Sequence, residues 1–496
     1  MKTIVLGPPG TGKTTTLLNL VDKYLKQTDP NKIGYFAFTQ KAAYEARDRA
    51  IAKFNLSEDD LPYFRTLHSL AFRRLGIQKQ NVMQKRHYAD LGNKLGFPVD
   101  YEENDQEMNG IFSAKSDYLR ILQLAKLRNI SFEKQYDLKE HTQDVEFDKL
   151  KIIAHELERY KKEYGLVDFN DMILNFIKAN ASPQFDVVFV DEAQDLSLMQ
   201  WDMVKTIWNR TTDNYIAGDD DQAIFKWAGA DVDSFIALDG KFINLTQSYR
   251  IPAKIHELAM KIIGKINNRI PKLWKPKMKQ GKVSVYADFR DIDMSQGEWL
   301  ILARTRSLLD ELEEVLYQKG YYYKNKFKKG YESELYESIT HWEKWRKGGV
   351  LDYSTVSQMF NYMSPHKLEK EKLALMDKNN FYSLKECQDK YGLRTDSVWY
   401  EALDEAPTRR VSYIRKMRQN GEQLNKVPRI TLSTIHGAKG GECQNVILLT
   451  DLTRRTYGEY EQRPDDVNRL FYVGATRTKD HLHIVEPKDI YKSYLL

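Results

Sequence analysis

Eight residues near the start of the chain, Gly7-Pro8-Pro9-Gly10-Thr11-Gly12-Lys13-Thr14, place glycines, a lysine and a threonine at the spacing G-x-x-x-x-G-K-T. Glycines at those positions let successive backbone N–H groups curl inward as a nest for an anion, and a helix beginning near Gly12 adds the positive end of its dipole. Lys13 is then placed to reach the β and γ phosphates of a nucleoside triphosphate, and the Thr14 hydroxyl to sit on Mg2+. A second run, Val187-Val188-Phe189-Val190-Asp191-Glu192, is apolar and ends in two acids. In a parallel sheet, ligands bind beyond the carboxyl ends of the strands, so Asp191 is expected to hold Mg2+ and Glu192 to polarise an attacking water. The two runs together predict phosphoryl transfer.

Such groups need a framework, and residues 1–75 show its rhythm. The short apolar run Ile4–Leu6 precedes a helical stretch to about Lys26, then comes Ile33–Phe38, then a helix over Lys41–Phe54. Strands alternating with helices predict a parallel, doubly wound sheet. From about Gly76 to Gly165 the pattern is helical and charged, after which strands are expected at Phe185–Val190, Tyr215–Gly218 and Phe242–Leu245. A strand at Trp299–Ala303 opens a second α/β region that resumes at Arg429–Ser433, Val446–Leu449 and His481–Val485, around a helical, charged stretch rich in Tyr and Trp. The expected organisation is α/β with a first core of residues 1–75 plus 166–250, interrupted by a helical insertion at 76–165. A second core of 251–319 plus 426–496 is interrupted by a helical insertion at 320–425.

A chain of 496 residues is too long for a single core, and an apolar fraction of 42% suffices for several. The balance of 76 Lys and Arg against 70 Asp and Glu leaves a formal charge of +6, compatible with a polyanionic partner. Cys387 and Cys443 stand far apart, which excludes a cysteine framework and a cysteine-held zinc or iron–sulfur site and suggests a reducing compartment. No apolar stretch approaches the roughly 18 to 20 residues that span a bilayer, and Met1-Lys2-Thr3 leads straight into the first strand. The expectation is an unsecreted, cytoplasmic protein with no membrane partner.

Further motifs carry a specific resemblance. Asp191-Glu192-Ala193-Gln194-Asp195 resembles the second nucleotide motif of superfamily 1 helicases, and the order of motifs along the chain is similar to the UvrD/Rep/PcrA-like branch. Thr39-Gln40-Lys41-Ala42-Ala43 resembles motif Ia, Thr66-Leu67-His68-Ser69 motif Ib, Gly218 to Ala230 motif III, and Gln247-Ser248-Tyr249-Arg250 motif IV. Thr434 to Glu442 is similar to motif V and Leu470 to Arg477 to motif VI.

The resemblance implies two RecA-like motor domains and a set of residue roles. Arg250 and Arg477 match the two arginines that reach the γ-phosphate, where charge must be neutralised during transfer. Gln222 matches a glutamine that senses that phosphate, Tyr249 the aromatic that stacks on adenine, and Glu442 a residue near the ribose; Thr15 and Gly440 complete the implied ATP-binding set. Phe38, His68 and Trp227 match positions lining a single-strand groove, where base stacking is insensitive to sequence, while Thr39 and His436 match backbone contacts. The implied activity is that of an ATP- and Mg2+-dependent helicase in DNA repair or replication, moving 3′ to 5′ on single-stranded DNA and unwinding duplex at single-strand/duplex junctions, as a monomer when translocating. Its protein partners are not legible. Two alternatives stand beside it: a translocase that displaces proteins with little unwinding, and a nucleotide-gated nucleic-acid-binding protein.

The chain departs from the family pattern in three places. Six residues precede the phosphate loop, where the family carries a glutamine motif that reads the adenine edge, so stacking on Tyr249 is expected to tolerate any base. Gly441 stands where Leu is common, and the second insertion is short, which bears on unwinding more than on translocation. Residues 261–282, with eight Lys or Arg, no acid and Trp274 among them, suit a phosphate-tracking surface, with a solvated connecting face as the alternative. The Lys324–Lys329 cluster reads first as a plain charged surface, with contact to duplex as the alternative.

Overall fold

Short β-branched and aromatic runs buried on both faces suit parallel strands flanked by helices, and nearly all the expected runs become strands. The structure is a computed structural model that describes residues 1–99, 116–141, 144–328, 331–424 and 426–496, with the side chains of Lys41 and residues 331–333 left aside. Lys329 of the basic cluster lies outside the described residues. The chain divides into two compact units, Met1–Gly281 with Gly458–Thr476, and Lys282–Tyr457 with Arg477–Leu496.

The first unit is built on a six-stranded sheet of β1 (Lys2–Leu6), β2 (Ile33–Ala37), β3 (Phe64–Arg65), β4 (Phe185–Asp191), β5 (Thr211–Gly218) and β6 (Lys241–Asn244). Their order is β3-β2-β4-β5-β1-β6, and every pairing is parallel. From β1 the chain turns toward β2, whereas from β5 it turns the opposite way to β6. The adjacent pair β1 and β5 is therefore the topological switch point, where a crevice opens beyond the strand ends. Leu17, Leu18 and Val21 of the helix Lys13–Leu25 seal one face of the sheet against Val5, Phe189 and Ala217.

The first insertion has its own core, with Tyr88 and Leu91 of helix Lys85–Leu95 packed with Ile121 of helix Asp117–Leu127 and Leu150, Ile153 and Leu157 of helix Phe147–Tyr164. Packing also groups residues 251–281, expected in the second core, with the first unit. Lys275 N–H donates to Thr246 at 2.6 Å and Lys277 N–H to Ile251 at 2.8 Å, stitching that segment to the chain that follows β6. Helix Pro464–Ala475 packs against helix Ala253–Ile263 in the same unit.

The second unit carries β7 (Lys282–Tyr286), β8 (Trp299–Ala303), β9 (Tyr323–Asn325), β12 (Ile430–Thr434), β13 (Cys443–Leu449) and β14 (Thr478–Val485), again all parallel in the order β7-β14-β13-β8-β12-β9. Strands β10 (Val350–Asp352) and β11 (Phe381–Ser383) form an antiparallel pair inside the insertion. Trp342 and Trp345 of helix Tyr331–Arg346 share one buried cluster with Ile301 of β8 and Leu432 of β12, so this insertion and its sheet have a continuous core. The α/β fold with two parallel sheets is as expected. The short strands β3, β7, β9, β10 and β11 were not, and the last three lie within the stretch read as helical. Among the described residues, no helix is long and apolar enough to cross a membrane.

Candidate functional site

The phosphate loop leaves β1 at Leu6 and continues its ladder for one bond, Gly7 N–H to the Gly218 carbonyl at 3.1 Å. Gly10 and Gly12 then take φ of +72° and +82°, values that favour glycine, and they turn the backbone amides toward one point. A Cβ on Gly7 would lie 2.0 Å from Lys13 Cγ, so the loop closes over the lysine stem only with glycine there. Lys13 Nζ donates to the Gly7 carbonyl at 2.8 Å and lies 3.6 Å from Glu192. Thr11 Oγ1 ties the turn to the Pro8 carbonyl at 2.8 Å, and Pro8 and Pro9 are buried.

Motif IV docks on this loop. Ser248 Oγ donates to the Pro9 carbonyl at 2.8 Å and Tyr249 N–H to the Gly10 carbonyl at 2.9 Å. Arg250 packs against Gly10 closely enough that a Cβ there would lie 2.3 Å from Arg250 Cβ. The ring of Tyr249 is left 75% exposed at the rim, as a stacking platform must be. Thr15 is also exposed.

Asp191 ends β4 and accepts hydrogen bonds at Oδ2 from Thr14 Oγ1 at 2.9 Å and Tyr35 OH at 2.8 Å. Burial, and then the neighbouring Glu192 charge, push its carboxyl above the usual range, with Lys13 opposing. A buried hydroxyl–carboxylate pair short of countercharge fits Mg2+, which takes one or two protein ligands and completes its shell with phosphate and water oxygens. Among the described residues no group of three or more His, Cys, Asp or Glu is placed to hold a metal ion. Glu192 has φ 53° and ψ 40°, a left-handed conformation that is costly for a non-glycine residue and turns its side chain back toward Lys13.

Beyond Glu192 runs a chain of hydrogen bonds that spacing alone did not reveal. Fully buried Gln194 donates from Nε2 to Glu192 Oε2 at 2.7 Å and accepts at Oε1 from Asp219 N–H at 3.0 Å. Gln222 Nε2 donates to Asp219 Oδ2 at 2.7 Å. The glycine that ends β5 permits this, because a Cβ on Gly218 would lie 2.6 Å from Gln194 Oε1. Glu192 and Gln222 are thus joined through two residues, Gln194 and Asp219.

Asp219, Asp220 and Asp221 are consecutive and buried. Lys272 Nζ lies 3.2 Å from Asp219 and 3.1 Å from Asp221 and hydrogen-bonds Asp220; Arg269 grips Asp221 from Nε at 2.7 Å and Nη2 at 2.6 Å. Burial alone would lower the Lys272 pKa, but the three carboxylates reverse the effect and hold the ammonium charged. Arg469 Nε adds a bond to the Asp220 carbonyl at 2.9 Å. The expectation of a phosphate-tracking surface at 261–282 is therefore corrected at its centre. Lys272 and Trp274 are buried, Trp274 edge-on to His256 at 4.3 Å, because this segment neutralises motif III from within.

The residues matched to a nucleic-acid groove divide by exposure. Trp227 is 39% exposed on the short turn Lys226–Ala228, and Thr39 caps helix Gln40–Phe54 by accepting from Ala42 N–H at 3.1 Å. Phe38 is buried and stacked on Phe225 at 5.8 Å, beside a crevice lined also by Leu127, Asp195 and Ala230. His68 is buried edge-on to Phe169 at 5.9 Å, and burial pushes its pKa down to about 4. The ring matched to a groove-lining position is thus buried in this conformation, and burial favours its neutral imidazole over the charged form.

In the second unit, His436 opens the short turn His436–Ala438 after β12, and Lys326 Nζ donates to the Gly437 carbonyl at 2.8 Å. Gly440 takes φ of +82°, Arg477 Nη1 donates to the Gly441 carbonyl at 3.4 Å, and Glu442 pairs with Lys479 at 2.7 Å. Arg477 thus meets motif V where β13 and β14 begin.

A parallel sheet carrying a phosphate loop, a strand-terminal Asp-Glu pair and a glutamine relay defines a P-loop nucleoside-triphosphatase core. Residues 1–243 match the UvrD/REP helicase N-terminal domain and residues 410–488 the UvrD-like helicase C-terminal domain. The chain belongs to the UvrD/Rep/PcrA-like family of superfamily 1 helicases. It is 25% identical over 366 residues to the ATP-dependent DNA helicase PcrA of Bacillus subtilis, an alignment covering 64% of this chain and 48% of the relative. Identity is 26% to the ATP-dependent DNA helicase Rep of Buchnera aphidicola, covering 56% and 45%, and 26% to DNA helicase II of Escherichia coli, covering 65% and 49%. The chain spans about half the length of the curated relatives it matches.

Proposed function

We propose that the chain is an ATP- and Mg2+-dependent motor that translocates 3′ to 5′ on single-stranded DNA and unwinds duplex at junctions. The observation that carries this reading is the continuous path Lys13, Glu192, Gln194, Asp219, Gln222, which joins the phosphate loop to the segment bearing Trp227. A nucleotide-only switch has no need of such a path; a motor whose turnover answers to DNA does. Lys13 and Arg250 would neutralise the transferred phosphoryl group, and Glu192 would accept the proton of the attacking water. Mg2+, held through Thr14 and Asp191, would supply charge neutralisation across the β and γ phosphates. Arg477 is proposed as the second arginine of hydrolysis, Glu442 and Gly440 as ribose-side residues, and Trp227, Thr39 and His436 as DNA contacts. The organisation proposed is two motor cores, each with an insertion, acting as a monomer in the cytoplasm and on the nucleoid. The polarity follows the family resemblance in motifs III and V.

Steady-state ATP hydrolysis, measured without nucleic acid and with oligodeoxythymidine at one stated salt concentration, tests the reading. Strong stimulation by the DNA strand is expected, and absence of stimulation would refute a DNA-coupled motor. Strand displacement measured beside single-strand translocation separates unwinding from protein displacement.

A further inference from the structure

Glu140, between helices Phe132–Asp137 and Phe147–Tyr164 of the first insertion, is held by two guanidiniums from distant parts of the sequence. Its Oε2 accepts from Arg128 Nη1 at 2.6 Å and from Gln135 Nε2 at 3.3 Å, and its Oε1 accepts from Arg463 Nη2 at 2.5 Å. Its side chain is 16% exposed. Burial alone would raise its pKa, but the Arg463 and Arg128 partners reverse the effect and hold the carboxyl below its usual range. Arg463 immediately precedes helix Pro464–Ala475, so Glu140 joins the insertion to the start of that helix.

Both arginines lead to the turn that bears Trp227. Arg128, just past helix Asp117–Leu127, donates from Nη2 to the Lys226 carbonyl at 3.4 Å. Asp466, in the first turn of helix Pro464–Ala475, lies 3.8 Å from Lys226 Nζ. On the other side of the tryptophan, Gly229 takes φ of +93°, and a Cβ there would lie 3.1 Å from Leu127 Cβ, so the turn sits directly on the insertion helix. The contacts close a ring, from Lys226 through Arg128, Glu140, Arg463 and Asp466 back to Lys226. Bonds between ionised groups are about twice as strong as neutral ones, and a carboxylate gripped by two guanidiniums passes a shift of either to the other.

We infer that Glu140 is a positioning residue for DNA-dependent turnover: it sets the orientation of the Trp227 turn against helix Pro464–Ala475, and so brings the first insertion into the coupling. The inference rests on the DNA-motor reading and adds to it a residue that lies in none of the motifs. Glu140 acts through Arg128 and Arg463. Without its charge the ring opens where the insertion and the helix meet, while the phosphate loop, Asp191 and Glu192 keep their own bonds.

The test is hydrolysis of ATP by the full chain as oligodeoxythymidine is titrated at one stated salt concentration. Glu140→Gln keeps the shape and removes the charge. Its basal turnover should stay within about twofold, while the oligodeoxythymidine concentration giving half-maximal stimulation rises about tenfold, the equivalent of about 1.4 kcal/mol. Arg463→Gln should produce the same shift, and the two substitutions together no more than either alone. An unchanged half-stimulating concentration in a folded Glu140→Gln protein would overturn the inference while leaving the motor reading in place. So would shifts that add, or basal and stimulated turnover falling by one common factor, which would mark Glu140 as structural. Should Glu140→Gln fail to fold, Glu140→Asp keeps the charge and shortens the reach; a several-fold shift is expected, and no shift would refute the role. Absence of stimulation in the unsubstituted chain would overturn both this inference and the reading beneath it.

Discussion

Replacing Gln194 by alanine cuts the path between the catalytic carboxylate and motif III at its middle. The side chain is fully buried, so water does not replace it readily. Three bonds are lost: to the Glu192 carboxylate at 2.7 Å, to Asp195 Oδ2 at 3.3 Å, and from Asp219 N–H at 3.0 Å, which becomes a buried donor without this acceptor. A bond to a charged group contributes about 1.5–3 kcal/mol and an orphaned buried donor costs about 1–3 kcal/mol, so a loss of about 3 kcal/mol in stability is expected. The kinetic effect is separate. Glu192 sits in a left-handed conformation that its surroundings must hold, and Gln194 tethers its carboxylate at 2.7 Å. Misplacing a base by about 1 Å costs on the order of 100-fold, or about 2.7 kcal/mol in the barrier. We therefore expect kcat for ATP to fall about 100-fold with KM nearly unchanged, and the ratio of DNA-stimulated to basal turnover to move toward one. The assay is steady-state hydrolysis with and without saturating oligodeoxythymidine, normalised to folded protein by melting curves. A variant with lowered melting temperature but unchanged kcat and stimulation ratio would refute the relay, leaving Gln194 a packing residue only.

Four further outcomes follow from the same geometry. Lys13→Ala and Glu192→Gln should each abolish hydrolysis in a folded protein, and near-normal turnover in either would sink the proposed chemistry. Trp227→Ala should uncouple stepping from hydrolysis, so DNA-stimulated turnover and translocation rate are measured side by side; no change in both refutes its role. Lys272→Met leaves three buried aspartates without their ammonium and should cost about 3–5 kcal/mol in chemical denaturation at neutral pH; the deficit should shrink as the solution is acidified and those carboxylates take up protons. His68 has its folded pKa depressed to about 4, so the unfolded chain binds the proton first. Its contribution is present above pH 6.5 and is lost as pH falls from there toward 4, to a total of about 3 kcal/mol. His68→Leu should therefore flatten that limb of the stability curve, and an unchanged acid limb would contradict the assignment.

The elements legible in the sequence were those whose signal is local. Ile4–Leu6, Phe185–Val190 and Trp299–Ala303 are short apolar runs bounded by turns, and burial on both faces is what such runs require. The phosphate loop was legible for the same reason, since its glycines, Lys13 and Thr14 act within one turn of backbone. Strand β3 has two residues and β9 three, too short to show any period, while β7 alternates Lys282, Val283, Ser284 and Val285 with no apolar run. These strands exist because neighbouring strands supply ladder partners, and that information lies elsewhere in the chain.

The site was misread where a residue's meaning depends on a distant partner. A run such as Lys272-Leu273-Trp274-Lys275 is equally consistent with a solvated face and with internal counterions, and the choice is made by Asp219, Asp220 and Asp221, about 50 positions earlier. Three adjacent acids at the end of a buried strand were the available signal, because consecutive carboxylates cannot be buried without a cation to match them. Gln194 was hidden differently: it stood in a recognised motif, but the bond it accepts from Asp219 becomes visible only when β4 and β5 lie side by side and Gly218 admits its carbonyl. Charge balance over the whole chain also misleads, since a net +6 says nothing of where a charge goes unmatched. One such place is Arg65, which took no part in any motif reading and is buried with no ion pair among the described residues.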